Sequence, residues 1–351
     1  MTTSDIEYER VVNDPGLPQM RWALDRSVAE QEISQVCADT LGSSRIGVRA
    51  MRVVRHKPGR RCLVEYDLDV DGQHTTIIGK MRARGLDHHV VALMHALRAV
   101  GFDDASADGV SVPQPLGASA ALGMHFQCKV AGESLASYLT RPSGPMLVRR
   151  AAAAVAKLHR APVPIRRAHS RADEWAIADR LLGELARQCP GLSKDVERLR
   201  RAVEQIAAEI PATEPAGIHR DFYAEQVQVA GDRMYLLDLD LVSRGDAAID
   251  AGNFVGNLWE RALRMPVHAD QLLNCAEEFE ADFVALGGGG CRFSLRAFAH
   301  LSLARHVALS VRFPDRQAHT QEMLSHCLTR FARWGLCKRR RRRNSTGGIE
   351  Q

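Results

Sequence analysis

Between residues 217 and 254, in GIHRDFYAEQVQVAGDRMYLLDLDLVSRGDAAIDAGNF, polar residues able to do chemistry are placed where the expected strands end. Val227 and Val229 begin a strand, Gly231-Asp232 supply a turn, and Met234 to Leu237 return. A turn centred near Asp232 sets Gln226 roughly opposite Asp238. Cross-strand neighbours lie about 5 Å apart, so this amide and this carboxylate are expected to share one metal ion. Asp221 precedes Gln226 by five residues, in the loop that feeds the hairpin. The pattern therefore brings three groups toward one spot: a free carboxylate, a metal carboxylate and a metal amide.

The order His219-Arg220-Asp221, then Gln226, then Leu237-Asp238, then Gly245-Asp246 and Asp250 resembles the catalytic core of the aminoglycoside phosphotransferase and choline kinase family. These are small-molecule relatives of the protein kinases. The resemblance implies that Asp221 orients a substrate hydroxyl and accepts its proton, while Gln226 and Asp238 hold Mg²⁺ against the phosphates of ATP. It further implies that Asp250 braces the catalytic loop from below. His219 reads as a scaffold residue that positions the loop by hydrogen bonding, and Asp240, two residues after Asp238 and so able to face the same side of the strand, as a second metal contact. One departure stands out: the family's metal amide is usually Asn, and Gln226 is one methylene longer. Glu225, next to it, reads either as compensation for the longer amide or, the favoured reading, as a solvated loop charge.

Three strand-like runs precede this core. Val48 to His56 ends at the turn Lys57-Pro58-Gly59-Arg60; Arg61 to Val70 alternates apolar and polar; Asp71-Gly72 turns the chain into Thr75 to Met81. An antiparallel opening of this kind resembles a kinase amino-terminal lobe. By that resemblance Gly59, Arg60 and Arg61 lie over the ATP phosphates, and Lys80, near the end of the third strand, contacts them, with Arg82 as the fallback. A plain hairpin turn would account for residues 57–61 equally well. Kinases orient the lysine with a helix Glu, yet no Glu lies between residues 66 and 132. Asp87 is the one acid of the next helix, 86–100, and reads as a cap or dipole partner. The strand 123–130 and residues 131–135 occupy the family's hinge position. His159 ends a well-patterned helix, 147–158, and reads as a packing residue.

The whole chain of 351 residues, 45% apolar and 25% charged, suits a globular protein with ample core. No apolar run approaches a membrane span, and the opening MTTSDIEYER lacks the pattern of a signal peptide. Eight scattered cysteines fit reduced thiols, so a cytoplasmic location is expected. Residues 338–351 hold six basic residues and one acid, which accounts for the whole formal charge of +5; the rest balances, which argues against nucleic acid as a partner of the folded part.

The expectation is an α+β, protein-kinase-like fold. It has an amino-terminal lobe over 1–129, a carboxy-terminal lobe over 130–337 and a disordered basic tail over 338–351. The expected activity is transfer of the ATP γ-phosphoryl group to a small hydroxylated substrate, with ATP and Mg²⁺ as cofactors. Two other readings stand beside it: a catalytically silent nucleotide-binding regulator, suggested by Gln226 and the missing helix Glu, and an interaction protein using the arginine run 339–343. Seven arginines between 291 and 337 against Asp315 and Glu322 favour a neutral or anionic acceptor over a polycationic aminoglycoside.

Overall fold

The computed structural model describes residues 9–287 and 292–346, with side chains as far as Trp334. In chain order its main elements begin with α1 (Arg26–Leu41), β1 (Ile46–Lys57), β2 (Arg61–Val70), β3 (Gln73–Arg82), α2 (His88–Leu97), β4 (Val110–Ser111), β5 (Pro115–Ser119) and β6 (Met124–Cys128). There follow α3 (Gly144–Arg160), β7 (Ala168–His169), α4 (Arg171–Gln188), α5 (Ser193–Glu209), β8 (Ala216–Ile218), β9 (Val227–Ala230), β10 (Arg233–Leu236) and β11 (Ser243–Gly245). The chain then runs through α6 (Ala248–Arg264), α7 (Ala269–Ala285), α8 (Arg292–Ser310) and α9 (Thr320–Thr346).

These elements form two compact units: Met1–Gly132 with Pro162–Pro164 and Gln228–Asp240, and the remainder. The first unit is built on an antiparallel sheet in the order β1-β2-β3-β6-β5. Strict pairing of Cys62 with Met81, Val64 with Gly79 and Tyr66 with Ile77 puts these residues on one face. That face packs with Ile33 and Cys37 of α1 into a single apolar core. Gly79 is required here, because a Cβ would lie 2.9 Å from the Tyr66 ring and 3.0 Å from the Met124 sulfur. The alternate residues therefore fall on the other face: Arg61 opposite Arg82, and Lys80 opposite His125. In the same unit the hairpin β9–β10 turns at Gly231 (φ +57°), and β10 runs parallel to β4. That pairing explains why residues 228–240, late in the sequence, belong with the first unit.

The second unit is helical, with a small sheet in the order β7-β11-β8. At its centre α6 and α8 approach closely. A Cβ on Gly252 would lie 2.3 Å from the Phe298 Cβ, and one on Gly256 would lie 2.7 Å from the Ala299 carbonyl oxygen. Phe222, Phe254 and Phe279 stack beneath the loop after β8, with centroids 5.4 and 4.1 Å apart. Helix α9 continues to Thr346, so helical backbone runs through the arginine stretch expected to be disordered. Lys and Arg are good helix formers, which composition read as a tail does not reveal. Residues 347–351, and the glycine run beyond Gly287, lie outside the described residues.

Candidate active site

In the second unit the loop after β8 carries His219, Arg220 and Asp221. Asp250, in the first turn of α6, is fully buried and accepts three hydrogen bonds: from the His219 N–H (2.7 Å), the Arg220 N–H (2.6 Å) and His159 Nε2 (2.8 Å). One helical turn on, Asn253 Nδ2 donates to the Arg220 carbonyl at 2.8 Å, and Arg305 binds the Asn253 oxygen. Both peptide groups flanking Arg220 are thus clamped. The clamp is needed, because Arg220 sits at φ +71°, a left-handed conformation costing a non-glycine residue about 1–2 kcal/mol. The turn leaves Asp221 half-buried, while the His219 ring is buried against Phe222. Gln226 closes a 3₁₀ turn, Ala224–Gln226, just before β9. Its Nε2 donates to the Tyr223 hydroxyl at 2.8 Å, which leaves the amide oxygen as the donor toward a cation. Glu225, expected to be merely solvated, forms an ion pair with Arg261 of α6.

The first unit gathers the other expected residues on the polar face of its sheet. Asp238, two residues beyond β10, has left-handed backbone (φ +55°), and its oxygens lie 3.3 Å from Arg61 Nη1 and 3.4 Å from Arg82 Nη2. Arg82 also pairs with the buried Asp240. Burial pushes the Lys80 ammonium below the usual lysine range; Asp238 opposes that shift, and the two arginines reinforce it. Burial, then Lys80 and Arg82, push the His125 imidazole down to about 3. The ring is therefore neutral, and its buried Nε2 has no hydrogen-bond partner. Asp87 accepts from the His89 N–H as the cap of α2.

The turn 57–60 is anchored by a residue that sequence patterning passed over. Gly59 (φ +64°) donates its N–H to Asp14 at 2.8 Å, and His56 Nε2 meets the same oxygen at 2.7 Å. Burial raises the Asp14 carboxyl, but these bonds and one from the Gly16 N–H outweigh it, so its pKa is lowered. Arg60 is exposed and Arg61 turns to Asp238, so of the turn's three expected phosphate contacts one N–H and one guanidinium already have partners.

Asp238, Asp240 and the Gln226 amide are hard oxygen donors of the kind Mg²⁺ takes. Among the described residues no cluster of three or more His, Cys, Asp or Glu is poised for a metal. The carboxylates of Asp238 and Asp240 are neutralised by arginines, so a cation would exchange with guanidinium groups rather than enter a ready cage. Asp238 and Asp240, within the first unit, fit a divalent ion in chemistry, with that competition attached.

Residues 84–283 match the model of the phosphotransferase enzyme family, and the chain belongs to that family. A comparison with curated proteins finds no match. Among solved structures, a choline/ethanolamine kinase family protein from Mesorhizobium loti aligns over 93% of this chain and 94% of its own, at 17% identity and a TM-score of 0.54. Glucosamine kinase in complex with glucosamine, ADP and inorganic phosphate aligns over 85% and 83%, at 13% identity and 0.56. An amicoumacin kinase in complex with AMP-PNP, Ca²⁺ and Ami aligns over 80% and 88%, at 13% identity and 0.57. The fold is protein-kinase-like, with an antiparallel-sheet amino-terminal lobe and a helical carboxy-terminal region.

Proposed function

We propose that this phosphotransferase moves the γ-phosphoryl group of ATP to a hydroxyl of a small molecule, with Asp221 taking the hydroxyl proton. The observation that carries the reading is the double clamp of Asp250 and Asn253 on the strained Arg220 turn, since a loop held this firmly positions a base without reorganisation. Lys80, Arg61 and Arg82 supply positive charge for the phosphates on one sheet face. Asp238, Asp240 and Gln226 would hold a divalent cation, which, when bound, neutralises phosphate oxygens. For the acceptor we propose a neutral or anionic compound, such as a sugar. Glu280 is taken by Arg292 and Arg296, Glu184 by Arg312 and Glu174 by Arg305, so carboxylates that a polycation needs are already neutralised.

A turnover assay with Mg²⁺ and ATP across sugars, amino alcohols, nucleosides, macrolides and aminoglycosides tests this. Phosphate transfer to a sugar-like hydroxyl is expected. Asp221→Asn should lower turnover about 10²–10⁴-fold while ATP affinity stays within a few-fold. Normal turnover in the folded variant would remove Asp221 from the reaction. Saturable phosphorylation of kanamycin-type drugs with sugars inert would overturn the acceptor class. The engagement of Asp238 and Asp240 by arginines favours one second reading, a nucleotide-binding protein that does not transfer. Calorimetric ATP binding with no transfer to any acceptor would select it.

A further inference from the structure

In the second unit, away from Asp221 and its clamp, α6, α7, α8 and α9 line a cavity of about 530 Å³ open to solvent on one side, with Trp259, Phe293, His300, Arg330, Arg333 and Trp334 among its walls. Successive helical residues advance about 100°. Asp250 and Arg261, which both reach the catalytic loop, share one face of α6, and Trp259 points from the opposite one. The cavity therefore lies behind the helix that braces Asp221.

Its walls are aromatic. The His300 ring lies 5.2 Å from that of Trp259 and 5.0 Å from that of Trp334, and Phe293 lies 5.1 Å from Trp334. The Arg330 guanidinium sits 3.8 Å over the Trp259 ring. His300 Nδ1 donates to the Arg296 carbonyl at 2.6 Å, and burial holds its pKa down at about 4, so the ring is neutral. The walls carry Arg292, Arg296, Arg330 and Arg333 against Glu280 and the exposed Glu277, an excess of positive charge. Glu280 is taken up by Arg292 and Arg296, whereas neither Arg330 nor Arg333 has a carboxylate partner among the described residues. Arg330 Nε and the Trp334 indole N–H are shielded from solvent without an acceptor among the described residues. Unspent donors, unpaired guanidinium groups and stacked rings in a cavity of this size are complementary to one kind of molecule.

We propose that this cavity is a second ligand site, taking a planar aromatic molecule that carries a carboxylate or similar anionic group. The rings stack on the aromatic body, and Arg330 and Arg333 meet the anion. A polycation or an aliphatic sugar satisfies neither requirement.

Calorimetry on the full chain, without nucleotide, with 2-naphthoate and its neutral counterpart 2-naphthamide tests the proposal. Saturable binding of 2-naphthoate, at least tenfold tighter than that of 2-naphthamide, is expected. Arg330→Ala should weaken the carboxylate tenfold or more, and Arg333→Ala, at the exposed rim where folding is not at stake, about threefold. Asp221→Asn should bind 2-naphthoate as the native chain does, which separates this site from the proposed catalysis. Equal affinity for the two probes, no binding of 2-naphthoate up to millimolar concentration, or unchanged affinity in both arginine variants would overturn it.

Discussion

Around Asp250 the partners of the carboxylate are two peptide N–H groups and a histidine, whereas around Asp238 they are two guanidinium groups. Peptide donors belong to the backbone and cannot leave without unfolding the turn. Guanidinium groups sit on long side chains and can be exchanged for another cation. One region of the molecule is finished before any ligand arrives, and the other is balanced by charges that a ligand would redistribute. Preorganisation and exchangeability are thus divided between the two compact units of the chain.

The largest expected effect comes from breaking the finished region. Asp250→Ala leaves two buried N–H groups and His159 without an acceptor, so denaturant unfolding should show a loss of about 3–5 kcal/mol. Turnover should fall at least a hundredfold. A native-like midpoint with full activity would show that the Arg220 turn holds itself.

The second test compares pH responses. His125 and His300 are held neutral, with pKa values near 3 and 4, but protonate near 6.5 once unfolded. The unfolded chain then binds more protons, so stability rises with pH between about 4 and 6.5 and is lost on acidification through that window. Each imidazole contributes about 1 kcal/mol per pH unit there, read as a falling urea midpoint from pH 6.5 to 5.5. His125→Gln should flatten the slope; an unchanged slope would mean that His125 titrates alike in both states.

The polar face of the sheet of the first unit, much as it is needed for charge balance, was largely illegible in the sequence. The elements themselves were not. Alternation placed β2 at Arg61–Val70, as observed, and β3 within two residues at its amino-terminal end, because one buried face forces a period of two. The helix expected from Ser27 to Leu41 is Arg26–Leu41 for the same kind of reason. The family resemblance pointed to Asp250 as the brace of the loop carrying Asp221, where the structure has it accepting from two peptide N–H groups, and Asn253, one helical turn further, was within reach of that argument. Asp14 was not. It acts on Gly59 across 45 residues, and such a contact leaves no periodicity to detect. The same holds for Arg61 and Arg82, whose partners lie 177 and 156 residues away.

A smaller effect sharpens the exchangeable side. Arg82→Met removes one cation from Asp238 and Asp240, so the Mg²⁺ concentration for half-maximal turnover should fall about fivefold, on the order of 1 kcal/mol. A rise instead would show that Arg82 holds the phosphates more than it competes for the carboxylates. Smallest of all, Gln226→Asn withdraws the amide from the Tyr223 hydroxyl and should lower turnover a few-fold. No change in either Mg²⁺-ATP binding or turnover would remove position 226 from the metal set.

The bond from Gly59 to Asp14 also ties the leading segment to the turn. Asp14 is made early in synthesis, yet the Gly59 N–H is held where Asp14 can meet it only by the β1–β2 hairpin, and Gly16 lies so near that a Cβ there would stand 2.5 Å from the Gly59 Cα. The leading segment therefore acts as a latch on the turn: a chain that lacks it keeps the hairpin but loses the acceptor that holds Gly59.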